Sequence, residues 1–141
     1  MGTQDNKTTA RHFLEEVINK GDMAAADKYF VAGYVDHAAP PGLPPGLDGF
    51  KMFFTAFLAA FPDLHYHIDE EIAEGDKMVQ RVTGHGTMKG DFQGMKATGK
   101  HGTWTEMHIL RFEGDKFAEH WANIDQMGML VSVGVMPAPG G

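Results

Sequence analysis

The chain has 141 residues, of which 43% are hydrophobic and 22% charged, and this balance is typical of one soluble globular domain that is large enough to bury a core. Nineteen acidic residues outnumber twelve basic ones to give a formal charge of −7; the basic residues form no cluster, so we do not expect nucleic acid as a partner. The absence of cysteine excludes disulfides, thiolate metal sites and cysteine nucleophiles.

The N-terminal segment lacks the apolar run of a signal peptide, and no apolar stretch reaches bilayer length, so we expect a cytoplasmic protein that does not contact a membrane. Apolar residues at three- and four-residue spacing predict a first helix, with Thr8 or Thr9 as its N-cap and Gly21 just after its end. Asp22 is suited to cap a second, shorter helix that reaches about Phe30.

Four prolines between residues 36 and 46 exclude regular hydrogen-bonded structure and predict a loop. In a short domain this loop is either a rim over a binding site or a plain surface loop. A third helix follows and ends before Pro62. It carries half of the ten phenylalanines on one stripe, which is either ordinary core or an aromatic roof over a ligand. The stripe comprises Phe50, Phe53, Phe54, Phe57, Leu58 and Phe61.

From residue 65 onward the hydrophobic period changes to two, which predicts strands. Tight polar turns at 74–76 and 113–115 predict hairpins and therefore antiparallel pairs. Helices followed by hairpins are typical of an α+β fold, in which three N-terminal helices close a curved antiparallel sheet over a largely apolar pocket. We expect a single domain over 1–141, with an ordered core of about 8–134 and a flexible tail, 135–141. The predicted strands are 65–72, 77–87, 102–112 and 116–124.

The last strand leads to Asp125, the candidate acid/base residue. Regular alternation places Asn123 and Asp125 on the same face as Trp121, so all three enter the pocket if Trp121 does. Burial among aromatic side chains raises the pKa of a carboxylic acid and suits it to proton transfer near neutral pH. The alternative is that Asp125 caps the following turn or pairs with an arginine at the sheet edge.

Eight histidines supply further candidates. His37 opens the proline loop and suits a position at the rim of the pocket. His108 shares a strand face with Leu110, which fits either a catalytic histidine or one that is satisfied within the core. Regular alternation turns His120 away from Asp125 and counts against a role for it.

Other patterns in the sheet favour structural roles. His65 and His67 share one face of a strand, but no third ligand lies nearby in the sequence, so we expect no metal site. Arg81 requires a partner inside a curved sheet, either Glu106 or Asp125, or else it steers an anionic substrate. The sequence contains no nucleophile elbow, dinucleotide fingerprint or phosphate loop.

Four short strings occur in a characteristic order: Ala60-Phe61-Pro62-Asp63, Gly86-Thr87-Met88-Lys89-Gly90-Asp91-Phe92-Gln93-Gly94, Ala97-Thr98-Gly99-Lys100 and Lys116-Phe117-Ala118-Glu119-His120-Trp121. Together they resemble the SnoaL-like polyketide cyclases, also called ester cyclases, of the nuclear-transport-factor-two-like (NTF2-like) superfamily. The resemblance covers residues 8–134. The family's usual Gly-Thr-His is replaced here by Gly86-Thr87-Met88, and its Pro-Thr-Gly-Lys by Ala97-Thr98-Gly99-Lys100.

The resemblance implies a cone-shaped α+β barrel that pairs into dimers or tetramers through its sheet and uses no metal or cofactor. In the founding cyclases, an aspartate after the Glu-x-Trp motif is the acid/base residue of an intramolecular aldol closure of a polyketide methyl ester, and Asp125 occupies that position. A histidine ahead of the proline loop, here His37, is common in such sequences.

We therefore expect a cofactor-free cyclase that removes a proton α to a carbonyl, lets the enolate attack a second carbonyl, and returns a proton to the product. Asp125 would carry the proton, and His37 or His108 would hydrogen-bond the oxyanion. The alternatives are a hydrolase or isomerase of a small hydrophobic molecule, and a non-catalytic ligand-binding dimer. The expected partners are a small hydrophobic carbonyl compound and a second copy of the chain. Residues expected to contact the ligand are Asn123, Trp121, Phe53, Phe57, Phe61, Arg81 and Met88.

Overall fold

The N-terminal part is mainly helical in the computed structural model, which describes residues 2–139. Helix α1 spans Thr3–Phe13 and continues as a π-helical segment, Leu14–Asn19. Gly21 follows with a φ of 72°, a left-handed conformation that glycine adopts without a steric penalty. Asp22 caps the next, 3-10 helix, Met23–Lys28, by accepting a hydrogen bond from a backbone amide. The predicted roles of Gly21 and Asp22 are confirmed.

Helix α1 begins upstream of the predicted caps Thr8 and Thr9. The Asp5 carboxylate accepts a hydrogen bond from the Gly2 amide at 3.3 Å, at the end of the helix where the backbone dipole favours negative charge. Thr8 lies within the helix and donates its hydroxyl to the carbonyl of Gln4. The helix therefore begins upstream of the predicted N-cap, with an acidic residue that stabilises its first turn.

The segment after the 3-10 helix departs most from the prediction, because it contains a strand. Strand β1, Phe30–Asp36, begins where the predicted second helix ends, in a stretch for which the sequence predicted no element, and pairs parallel with the last strand of the sheet. The proline-rich segment that follows is a loop, as predicted. Helix α2, Gly46–Ala60, then ends before Pro62, also as predicted.

Five strands form one curved sheet in the order β1-β5-β4-β3-β2. Strands β2 to β5 are joined by hairpins or one longer connection and pair antiparallel with their neighbours, as the turns predicted. Only β1 is parallel to its partner, so the sheet is mixed at this edge. The predicted α+β class is confirmed. Strands β2 to β5 span His65–Glu74, Lys77–Thr87, His101–Glu113 and Lys116–Ile124.

A short helix that the sequence did not predict, α3 (Gln126–Ser132), follows the sheet. The next residue, Val133, is buried against β4, where a Cβ on Gly102 would lie only 2.4 Å from Val133 Cγ1. The predicted flexible tail ends in Gly140 and Gly141, which lie outside the described residues. Between residues 2 and 139, no helix has the length and apolar character needed to cross a membrane.

The inner face of the sheet packs against the helices and carries the even-numbered side chains of β3 and β4. The phenylalanine stripe of α2 closes this core from above. Phe57 and Phe61 are at most 4% exposed, and the Phe61 ring lies 5.7 Å from that of Trp104 on β4. The odd-numbered side chains of β3 and β4 form the outer face.

Candidate active site

A cavity of about 900 Å³ lies between the proline loop, α2 and the inner face of the sheet, a size that suits a drug-sized organic ligand. Its apolar wall includes Phe50, Phe53, Phe54 and Phe57 of α2. A second chamber of about 90 Å³ is lined by core side chains, including those of α1. The cavity and the chamber share eight lining residues, namely Tyr34, Asp36, Phe50, Phe54, Tyr66, Glu106, His108 and His120.

Four of these shared residues form an unbroken row of hydrogen bonds, which we call the Asp–His–His–Glu array (Asp36, His120, His108 and Glu106). Glu106 Oε1 lies 2.8 Å from His108 Nε2. His108 Nδ1 lies 2.8 Å from His120 Nε2, and His120 Nδ1 lies 2.9 Å from Asp36 Oδ1. The two imidazole rings are stacked at 18°. Two carboxylates and two imidazoles are thus connected within hydrogen-bonding distance along the wall of the cavity.

Glu106 is buried at one end of the array, and both of its oxygens have partners. Its Oε2 accepts hydrogen bonds from the Tyr66 hydroxyl at 2.6 Å and from the Trp104 indole at 2.8 Å. Burial raises the pKa of this carboxyl, but the hydrogen bonds from His108, Tyr66 and Trp104 outweigh burial and hold the pKa below its usual value. Burial and the neighbouring charge of Glu106 raise the pKa of Tyr66 well above its usual value.

Asp36 forms the other end of the array, where β1 gives way to the proline loop. Its Oδ1 accepts hydrogen bonds from both His120 and the Ala38 amide, the latter at 2.9 Å. Burial raises the pKa of the Asp36 carboxyl, but the hydrogen bond and charge of His120, together with the Ala38 amide, lower it below its usual value. Burial, assisted by the Asp36 charge, also raises the pKa of Tyr34.

A bulge in β5 decides which of its side chains face the cavity. Phe112 pairs with Phe117 and Arg111 with Glu119, so Ala118 is an extra residue on β5. Phe117 and His120 therefore both point inward, since the alternation changes phase at Ala118. The argument that regular alternation counts against a role for His120 is wrong, because the bulge shifts the alternation and brings His120 to the cavity.

Asp125 does not reach the cavity. It is exposed and forms the N-cap of α3, where its Oδ1 accepts a hydrogen bond from the Gly128 amide at 2.9 Å. It lines neither the cavity nor the chamber. The expectation of a buried aspartate among aromatic side chains is therefore wrong, and the alternative, a cap of the following turn, describes the observed position.

Three further predicted residues lie on the outer face of the sheet. The imidazole of His37 stacks on the Trp121 indole with a centroid distance of 4.8 Å and an interplanar angle of 10°. His37 Nε2 lies 3.0 Å from Glu119 Oε1. Asn123 is exposed. Their expected positions at the pocket are wrong, because the Ala118 bulge turns Trp121 and Asn123 outward and His37 packs with them.

Arg81, Met88 and Phe61 also lie away from the cavity. Arg81 is on the outer face of β3, with its Nε 2.8 Å from Glu70 Oε1, so the expected pairing with Glu106 or Asp125 is wrong. Met88 and Phe61 are each 1% exposed and belong to the core. Neither residue lines the cavity, so the expectation that Met88 and Phe61 contact a ligand is wrong.

The structure does bring Phe53, Phe57 and His108 to the cavity. Three members of the array were not among the sequence candidates for the site. A signal for Glu106 was present, because alternation along β4 places this carboxylate on the same face as Trp104 and His108. A carboxylate on an otherwise buried face requires partners, and His108 two residues further along that face is one of them.

The array is suited to proton transfer and not to metal binding. Each imidazole nitrogen faces a different partner, so the donor atoms do not converge on one point. Within the described part of the chain, no three His, Asp or Glu side chains are grouped so that they could hold a metal ion. The three contacts of the array need three protons, whereas two neutral imidazoles supply two. With all three contacts hydrogen-bonded at once, the array would hold one extra proton and a net charge of −1.

Comparison with known proteins agrees with this fold. TsrD from Streptomyces laurentii is 26% identical with a TM-score of 0.87, over 96% of this chain and 99% of that one. AclR from Streptomyces galilaeus is 27% identical with a TM-score of 0.83, over 96% and 100%. IdmH from Streptomyces antibioticus is 25% identical with a TM-score of 0.80, over 92% and 98%. No curated protein matches the chain. The family model of the SnoaL-like polyketide cyclases matches residues 8–132, and the protein therefore belongs to this family, with its NTF2-like fold.

Proposed function

We propose that the protein is a cofactor-free cyclase that closes a ring within a small, neutral carbonyl compound by acid/base catalysis. The observation that carries this proposal is the Asp–His–His–Glu array, which presents titratable groups to an otherwise largely apolar cavity. Membership of the SnoaL-like polyketide cyclase family supports it.

The proposed reaction is an intramolecular aldol closure without net oxidation or reduction. The array accepts a proton from the carbon α to a carbonyl group, and the resulting enolate carbon attacks a second carbonyl carbon of the same molecule. A carbon–carbon bond forms, and the electron pair of the second carbonyl moves to its oxygen. The array then returns the proton to this alkoxide. One positioned acid/base group contributes roughly 10²–10⁴-fold to such a proton transfer.

The lining of the cavity favours an uncharged substrate. Among the described lining residues there is neither lysine nor arginine, so no cation is placed to hold a carboxylate or a phosphate. The pKa values of the two carboxyls of the array lie below their usual range, and these carboxylates oppose an anion as well. The aromatic wall that α2 provides and the volume of the cavity suit a polycarbonyl chain that is folded into a reactive conformation. An ester of such a chain fits these conditions, whereas the free acid does not.

We assign the acid/base role to the array instead of Asp125. Asp36, His108 and His120 line the cavity and are hydrogen-bonded to one another, whereas the Asp125 carboxylate is engaged in capping α3. A carboxylate that holds a helix end in water has no contact with a ligand in the cavity.

The test uses an aromatic β-keto methyl ester with a second carbonyl in the same molecule as the probe. Wild-type protein is expected to give the ring-closed isomer, with no change in mass, and to catalyse deuterium uptake at the α carbon. His120→Gln is expected to lower kcat/KM by roughly 10²–10⁴-fold. Asp125→Asn, the matched control, keeps the oxygen that caps α3 and is expected to retain activity within a few-fold.

The mass of the product distinguishes the proposed cyclase from the two alternative functions. A product that has gained water would identify a hydrolase, and binding of the probe without turnover would identify a non-catalytic module. Loss of ring closure in Asp125→Asn, with His120→Gln unaffected, would return the catalytic role to Asp125 and overturn the assignment. Circular dichroism of both variants checks that they are folded.

A further inference from the structure

We propose that Tyr66 and Trp104 fix the direction of the hydrogen bonds in the array, so that the extra proton resides in the contact between His120 and Asp36. The inference rests on the proposed function only in taking the array as the acid/base group. Trp104 lines neither the cavity nor the chamber, so its role is that of a positioning residue that acts through Glu106.

The first step concerns the state of Glu106. The Trp104 indole N–H can only donate, and it points at Glu106 Oε2 from 2.8 Å. The Tyr66 hydroxyl lies 2.6 Å from the same oxygen. Two donors on one carboxylate oxygen stabilise the ionised form, since an ionised carboxylate accepts more and stronger hydrogen bonds than a protonated one. Glu106 is therefore an acceptor at both oxygens, and it anchors the array as a fixed negative charge.

The second step follows the protons along the two imidazoles. An ionised Glu106 requires a proton on the facing Nε2 of His108. The other nitrogen of His108, when the ring is neutral, is then a bare acceptor and takes a proton from His120 Nε2. This leaves His120 Nδ1 opposite the Oδ1 of Asp36 at 2.9 Å. With His108 neutral and no further proton, both of these atoms are acceptors, and the proposal places the extra proton between them.

The third step concerns what surrounds this contact. Asp36 also accepts the Ala38 amide, and Tyr34 is the other titratable group beside it. At the opposite end the array faces Tyr66, and no lysine or arginine is found among the described lining residues. His120 and Asp36 both line the cavity, so the proton can pass between this contact and a bound substrate. Once this proton has passed to solvent, the two facing acceptors repel each other, and the contact is the base that accepts the α proton of the substrate and returns it to the product alkoxide.

The experiment observes the protons on the imidazole nitrogens directly. Long-range proton–nitrogen NMR on histidine-labelled protein distinguishes the two neutral tautomers from the doubly protonated ring, and His108→Gln and His120→Gln assign the signals. At neutral pH we expect His108 to carry its proton on Nε2 and His120 to carry protons on both nitrogens or share one with Asp36. A wild-type His108 that carries its proton on Nδ1 instead would overturn the inference.

Trp104→Phe removes the indole donor and retains an aromatic ring. Loss of one hydrogen bond to a charged acceptor is expected to increase the opposite tautomer of His108 by roughly 10- to 100-fold relative to wild type. Tyr66→Phe tests the same effect with a smaller change of volume, if Trp104→Phe does not fold. The matched control is Tyr29→Phe, because Tyr29 donates its hydroxyl to Glu16 Oε1 at 2.7 Å, outside the array. Tautomer populations unchanged in both array variants would also overturn the inference.

Turnover separates this inference from the proposed function. The NMR signals do not require a substrate, so wild type with the expected tautomers but without ring closure would contradict only the proposed function. With an active enzyme, Trp104→Phe is expected to displace the acid limb of the pH profile of kcat/KM, and Tyr29→Phe is not. An unmoved acid limb in Trp104→Phe would contradict the positioning role.

Discussion

Glu106 illustrates how a buried charge is tolerated in this fold. The residue is 6% exposed, and an isolated carboxylate at that depth would be strongly destabilising. Donors from β2, from its own strand β4 and from the neighbouring imidazole meet its two oxygens. The same partners that satisfy the charge also lower the pKa of the carboxyl, so the stability of the fold and the protonation state of the site depend on one residue.

This dependence predicts how acid affects stability. The pKa of Glu106 is lower in the folded state than in the unfolded chain, where it is about 4.3; its contribution is thus complete above that pH and is lost as the pH falls through the folded pKa. Glu106→Gln is expected to flatten the rise of the unfolding free energy with pH, by up to about 1.4 kcal/mol per pH unit. Urea denaturation at a series of pH values between about 3 and 6 measures the slope.

Asp48→Asn is the control for this measurement, because Asp48 is an exposed carboxylate in the first turn of α2. Glu106→Gln is expected to change the slope more than this exposed variant does. A slope for Glu106→Gln that also equals wild type would show that the Glu106 carboxyl takes up no additional proton on unfolding.

At the scale of the elements, the site is made by side chains from three strands. Strand β1 brings Asp36, β4 brings Glu106 and His108, and β5 brings His120 because of its bulge. Strand β3 has a glycine, Gly84, at the position beneath the rings of Tyr66 and Trp104, and the absence of a side chain there lets both rings pack directly on the backbone. The close approach of those two rings to the β3 backbone holds both donors over Glu106.

Gly84→Ala tests whether the packing of the two rings requires a glycine at this position. A Cβ at position 84 would lie 2.5 Å from Tyr66 Cε1 and 3.0 Å from Trp104 Nε1, which is closer than stiff rings allow. The variant is expected to lose about 1–3 kcal/mol of unfolding free energy, as overpacked cores do. Gly33→Ala on β1 is the control, because nothing lies within 4 Å of its added Cβ. Equal stability of the two variants in urea denaturation would contradict the packing argument.

Local patterns predicted most elements but not the long-range pairing. The period of two located β2 to β5, and the polar turns predicted their antiparallel pairs, because both signals lie within a few residues. Strand β1 depends on a parallel contact between Phe30 and Phe117, which are distant in sequence, so no local signal separates it from the end of a helix. The bulge at Ala118 likewise exists only relative to β4.

The same limit applies to the candidate site, because local patterns predicted individual residues but not the contacts between distant strands. His108 was found because it lies within a regular strand, and Phe53 and Phe57 because they follow a helical period. The error at Asp125 came from extending strand alternation across the bulge and past the end of β5, where the chain turns into α3. The array combines side chains from β1, β4 and β5, and only the tertiary structure brings Asp36 against His120.

At the scale of the whole molecule, the outer face of the sheet has the composition of a protein interface. Direct cross-strand neighbours form an apolar row across four strands: Ile72 beside Val79, Val79 beside Ile109, and Ile109 beside Trp121. Ile72 is 63% exposed and Ile109 39%. Ion pairs flank this row on the same face, including Arg81 with Glu70 and Arg111 with Glu119. An exposed apolar row bordered by charges of both signs is self-complementary, and such patches mark interfaces.

We propose that a second copy of the chain covers this face, as the family resemblance implies. Ile109→Glu places a charge at the centre of the apolar row and is expected to raise the dimer dissociation constant at least about 100-fold, because a buried unpaired carboxylate costs several kcal/mol. Sedimentation velocity over a range of concentrations measures the association. Met52→Glu is the control, since Met52 is 55% exposed on α2, away from the sheet. A wild-type protein that stays monomeric, or an Ile109→Glu variant that dimerises like Met52→Glu, would contradict pairing through the sheet.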